Sequence, residues 1–222
     1  MANDTGRGFI ERMEDFLCVE NDATNSIHEV GTTATIAVSI QNNGACRLTT
    51  HTDDNDTARI SFPLNWNPSH GGCFMEARIT QVTAATARGF FVGWTDDATT
   101  EETPISLTGT TFTTTAVNAV GFVFDTNATT DVLYGKGVKA NTDSDTLTTD
   151  VVIAAAATWQ TLGVQIEPDG NAVFYVNQKE VGRLSNAITA DTDICPTVLA
   201  KTSTAAAISM DVDYIYAKGG RE

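Results

Sequence analysis

Apolar and polar residues take turns along most of this chain, with a period of two. In Cys73–Val82 the set Phe74, Glu76, Arg78 and Thr80 opposes Cys73, Met75, Ala77, Ile79 and Gln81. That is the mark of a strand whose two faces meet different surroundings. Thr33–Ile40 puts Ile36, Val38 and Ile40 on one face, and Ala206–Ala217 alternates through Ile208, Met210, Val212, Tyr214 and Tyr216. Shorter stretches rich in Val, Thr and aromatics read as further strands: Cys46–His51, Ala58–Leu64, Gly89–Thr95, Val120–Asp125, Val132–Lys139, Asp150–Ala154, Trp159–Glu167, Ala172–Asn177 and Glu180–Leu184. Pro168-Asp169-Gly170-Asn171 predicts a hairpin turn, and Asn177-Gln178-Lys179 a second one. About a dozen short strands without alternating helices predict an all-β, two-sheet sandwich or barrel rather than an α/β fold.

Three stretches depart from this pattern. Phe9, Met13, Phe16 and Leu17 fall on a helical stripe, so residues 1–25 read as a short helix or as an arm lying extended on a neighbour. Residues 26–222 then form one sandwich domain. The Thr- and Asp-rich stretches 96–116 and 141–149 carry few apolar residues and read as surface loops.

Charge narrows the list of partners. The chain of 222 residues has 13 basic and 28 acidic side chains, a net charge of −15. A phosphate backbone or an anionic membrane would be repelled by such a surface, so neither nucleic acid nor membrane is expected as a partner. Apolar runs such as Val151–Ala157 are too short to cross a bilayer. Met1–Glu20 lacks a basic start followed by an apolar run, so no secretory leader is expected. Of Cys18, Cys46, Cys73 and Cys195, none forms a C-x-x-C pair and no histidine lies at zinc-ligand spacing. Cys46 and Cys73 read as small buried hydrophobes, with a disulfide left open.

Two segments carry a family resemblance. The first is Cys73-Phe74-Met75-Glu76-Ala77-Arg78-Ile79, followed by Phe90-Phe91-Val92-Gly93-Trp94-Thr95-Asp96. The second runs from Trp159 to Glu167, through Asp169-Gly170 and Phe174-Tyr175-Val176-Asn177, to Met210-Asp211-Val212-Asp213-Tyr214-Ile215. Together they resemble the concanavalin A-like lectin/glucanase jelly roll over roughly residues 30–217, with Gln178 departing from the glycine usual in that hairpin. That fold hosts sugar-binding, sugar-cleaving and virion proteins alike. The short polar N-terminus and the Thr- and Ala-rich composition are similar to those of structural proteins of tailed bacteriophages. This resemblance implies a non-enzymatic capsid decoration or cement protein, made in the host cytoplasm and carried on the virion surface. It would be a homotrimer that binds the major capsid protein of the shell. A carbohydrate-binding module, lectin-like or a tail or fibre adhesin, is the alternative, with a glycan as partner.

The candidate residues follow from these readings. Glucanases of this fold carry paired glutamates on one strand as E-x-D-x-x-E; Glu20-Asn21-Asp22-Ala23-Thr24-Asn25 begins that way and ends in Asn25. Catalysis is therefore not expected. Phe9, Met13, Phe16, Leu17 and Trp66 are the expected partner contacts, Trp66 because Pro63-Leu64-Asn65-Trp66-Asn67-Pro68 reads as an exposed loop. Trp94 and Trp159 lie in apolar strands and read as core. Asp53, Asp54 and Asp56 surround Asn55 in an oxygen cluster that could take calcium, aided by Asp96 and Asp97; a solvated acidic turn is the plainer reading, and no other cofactor is implied. Glu76 and Arg78, two apart on one strand face, could grip a ligand or bridge to neighbouring strands.

Overall fold

The computed structural model describes residues 8–16, 28–30, 34–39, 44–82, 88–98, 102–153 and 157–220. Along the chain the strands are β1 (Phe9–Glu14), β2 (His28–Val30), β3 (Thr35–Ser39), β4 (Ala45–Thr49), β5 (Thr57–Ser61), β6 (Cys73–Gln81), β7 (Arg88–Thr95), β8 (Ile105–Thr108) and β9 (Thr111–Thr114). They continue with β10 (Ala119–Asp125), β11 (Val132–Lys139), β12 (Thr142–Val152), β13 (Gln160–Ile166), β14 (Ala172–Val176), β15 (Lys179–Leu184), β16 (Cys195–Thr202) and β17 (Ser209–Gly220). One sheet runs β15-β14-β13-β6-β17-β4-β3, with β1 added along β17. The other runs β12-β11-β10-β7-β16-β5-β2, and β8 and β9 form a separate hairpin. The two antiparallel sheets make a jelly-roll sandwich, as the strand pattern predicts. Among the described residues no helix is long and apolar enough to cross a membrane.

Period-two alternation builds the core. Met75, Ala77 and Ile79 of β6 and Leu162, Val164 and Ile166 of β13 face Val92 and Trp94 of β7 and Val120, Phe122 and Phe124 of β10. Trp94 donates its indole N–H to the Val164 carbonyl at 3.1 Å, tying the two sheets together and satisfying its one polar atom.

The two outer faces differ. Over the second sheet, Ile105 and Leu107 of the β8–β9 hairpin cover Phe91, Val123 and Leu199 and close a second small core. Beside them Arg59 is fully buried, its guanidinium donating to Ser61 Oγ at 2.6 Å, Thr197 Oγ1 at 3.3 Å and the Asp97 carbonyl. Burial lowers its pKa. No such cover lies over the first sheet among the described residues, and its outer face carries the polar and aromatic groups considered below.

Several expectations change here. Phe9–Glu14 is a strand and not a helix, because it completes a ladder with β17 from Phe9↔Gly220 to Glu14↔Ile215. The presumed loops 96–116 and 141–149 contain β8, β9 and most of β12, whose Thr-rich edges need few apolar residues because one face meets water. Cys195–Thr202, unforeseen, is a central strand buried on both faces, where alternation is absent. A bulge between Val212 and Tyr214 breaks the alternation of β17. Met210 and Val212 point into the core, whereas Tyr214 and Tyr216 point out, since one extra residue switches every later side chain to the other face.

Candidate functional site

The outer face of the first sheet is laid out by register. One row crosses it as Tyr175, Gly163, Glu76, Tyr216 and Met13, from β14 to β1. The next runs Gln165, Phe74, Lys218, Glu11, and a third Thr161, Arg78, Tyr214. Gly163 lies under the Phe74 ring, where an added Cβ would meet Phe74 Cε2 at 3.4 Å, an ordinary packing distance. That ring stands between Tyr175 and Tyr216, with centroids 6.3 and 6.2 Å away. The result is an aromatic platform beside a carboxylate.

Tyr214 donates its hydroxyl to Glu76 Oε1 at 2.6 Å, and Tyr216 donates to Glu11 Oε1 at 2.7 Å. Partial burial and then the hydrogen bond to Glu76 push the Tyr214 phenol up to about 12. Burial followed by the Glu11 bond takes Tyr216 to about 12 as well, and the charges of both Glu11 and Glu76 act on it. Tyr216 is thus flanked by two carboxylates delivered by different strands. Arg78 donates to Asp213 at 2.7 Å and lies 4.9 Å from the Trp159 ring centroid. The Glu76–Arg78 pair therefore serves as two bonds to β17 and not as one mutual ion pair. At one end of the face a cavity of about 420 Å³ opens between Phe9, Gly71, Gly72, Phe74, Gln165, Tyr216 and Lys218. Gly72, at φ +86° with a would-be Cβ 2.8 Å from the Ile166 carbonyl oxygen, keeps its wall thin.

Of the residues singled out by sequence, Phe9 and Met13 are exposed, at 55% and 58%, and lie on this face. Two others are corrected. Phe16 is 2% exposed and Trp66 1%, both in the main core, where Trp66 packs on Phe62 and Trp94; neither can reach a partner. Leu17 and Cys18 lie outside the described residues, as does the Glu20–Asn25 stretch. Trp159 is half-buried under Arg78 and not in the core. The Asp53–Asp56 turn is held internally, with Asp56 accepting from the His51 backbone N–H and Asp53 3.5 Å from the His51 ring. Among the described residues no three His, Cys, Asp or Glu side chains gather as metal ligands. Cys46, Cys73 and Cys195 are buried, and burial raises the Cys73 thiol to about 12.

No family model matches the sequence, and no curated protein matches it. Solved structures do. The chain has the concanavalin A-like jelly-roll fold. It is similar to a protein of unknown function from Shewanella oneidensis MR-1, at 14% identity and TM-score 0.67, covering 99% of this chain and 90% of that one. A β-glucanase from Bacillus licheniformis matches at 11% identity and TM-score 0.63, covering 95% and 98%. The κ-carrageenase of Pseudoalteromonas carrageenovora matches at 13% identity and TM-score 0.61, covering 99% and 98%. Proteins sharing this fold with the chain are mostly glycan-binding domains and glycan-cleaving enzymes. This corrects the expectation of a non-enzymatic protein, which rested on a missing single-strand motif. Here the outer-face carboxylates Glu76 and Glu11 belong to β6 and β1, an arrangement no motif along one strand can reveal.

Proposed function

We propose that this protein binds a polysaccharide along the outer face of its first sheet and cleaves it, with Glu76 transferring the proton and Glu11 as the second carboxylate. The observation that carries this reading is the juxtaposition of the Phe74–Tyr175–Tyr216 platform with Glu76 and Glu11 on the uncovered sheet face. Flat rings offer an apolar surface for sugar rings and leave hydroxyls free to bond. Glycoside hydrolysis needs two carboxyl groups across the scissile bond. The fold's occurrence among glucanases and a carrageenase supports the same class of ligand. The test is release of reducing ends from a panel of neutral and acidic polysaccharides. Glu76→Gln is expected to lower the rate by about 10²–10⁴-fold; no cleavage by the wild type, or full activity in the variant, removes the reading.

A second reading is attachment to a phage capsid as a trimer. What supports it is the exposure of Phe9 and Met13 on β1, a strand that among the described residues pairs only with β17. Such apolar groups are common contact anchors. Co-sedimentation with phage heads, lost on replacing both residues with serine, checks it.

A further inference from the structure

Resting on the glycan reading of this face, we infer that the cavity beside Gly71 and Gly72 is a subsite for an anionic substituent of the sugar chain, a carboxylate or a sulfate ester. Lys218 carries the inference. It stands opposite Phe74 in the ladder and diagonal to Glu76, a spacing of about 7–8 Å between Cα atoms, so the group it holds sits next to the one at Glu76. Its ammonium lies 4.5 Å from the Phe9 ring centroid and takes part in none of the ion pairs found among the described residues. Glu11 faces it across the ladder, but the Glu11 carboxylate bonds Tyr216 instead.

The cavity wall strengthens the case. In a chain with 28 acidic residues and a net charge of −15, no carboxylate among the described residues lines this cavity. Gln165, another polar side chain of the lining, accepts the Tyr175 hydroxyl at Oε1 (3.1 Å), which leaves its amide N–H groups as donors. A cation and an amide donor, walled by glycine backbone and aromatic rings, are complementary to an acceptor bearing negative charge. The surrounding negative field disfavours a densely charged polymer. The fitting ligand is a largely neutral glycan with isolated anionic groups.

The probes are sodium sulfate and sodium acetate, titrated at constant ionic strength into ¹⁵N-labelled protein while the Gly71, Gly72 and Gly219 amides are followed. Saturable shifts in the wild type that vanish in Lys218→Gln are expected, and the anion giving the tighter response identifies the substituent. Absence of saturation, or the same response in the variant, overturns the inference. Matched oligosaccharides with and without the substituent give the second arm. The wild type should bind the substituted one about tenfold more tightly, one charge-assisted contact's worth, and Lys218→Gln should level that preference. A positive anion titration without any glycan cleavage would sink the glycan reading alone; cleavage without an anion response would sink this inference alone.

Discussion

Phe74 is the side chain whose replacement best separates support of the fold from capture of a sugar. Its ring lies against Gly163 and meets Tyr175 and Tyr216 at 6.3 and 6.2 Å. Each such aromatic pair is worth about 0.5–1.5 kcal/mol. A fully buried Phe→Ala costs about 3–5 kcal/mol; Phe74 is half-buried, so about 2 kcal/mol is the reasonable loss. For a chain of this length that lowers Tm by about 4–8 °C. Phe74→Leu keeps most of the apolar volume and forfeits the flat face, so its stability should fall by only about 1 kcal/mol. Affinity should behave otherwise. If the ring is the platform, both variants lose glycan binding by about tenfold or more, a typical cost of truncating an aromatic anchor. Differential scanning calorimetry and isothermal titration on the same preparations measure both quantities. A Phe74→Leu variant that binds glycan as the wild type does would refute the platform, whatever its Tm.

Three further outcomes follow from the geometry. Tyr214 and Tyr216 have phenols raised to about 12, so the folded state holds these protons more tightly than the unfolded one; the stabilisation is complete below pH 10 and is lost as pH rises towards 12. Absorbance titration at alkaline pH should show Tyr214 and Tyr216 ionising late, with Tyr214 moving down in Glu76→Gln. Gln178 sits at φ +66° after Asn177 at +49° in the β14–β15 turn, so Gln178→Gly should stabilise by about 0.4–1 kcal/mol in chemical denaturation. Lys201 lies 3.6 Å from Asp125, with side chains 8% and 2% exposed; Lys201→Met should cost about 3–5 kcal/mol by stranding a buried carboxylate, and adding Asp125→Asn should recover much of it.

The sandwich was legible in the sequence because strand period and turn chemistry are local. β6, β13 and β14 lie within a residue or two of their expected bounds. The site was legible only in pieces. Phe74, Glu76 and Arg78 could be put on one face of one strand, but nothing local shows that Tyr216 stands opposite Glu76. The bulge at Val212/Tyr214 hides this further, since unbroken alternation places Tyr214 and Tyr216 with Met210 and Val212 in the core. Glu11 was unreadable for another reason. Phe9, Met13 and Phe16 mimic a helical stripe, and the pairing of β1 with β17 overrides it. Trp66 misled because its Asn- and Pro-rich neighbours suggest a loop at the surface, whereas a bridge to Ile194 carries the indole inward.

The hydrogen bond between Glu11 and Tyr216 joins residues 205 positions apart. A ribosome adding about 5–20 residues per second makes the second partner roughly ten to forty seconds after the first. Throughout that interval β1 has no strand to lie on, and its Phe9 and Met13 are free to find other company. The outer face of the first sheet is therefore completed only once β17 has been made. A chain stopped short of Tyr216 could bury much of its core and still have only half of its carboxylate pair in place.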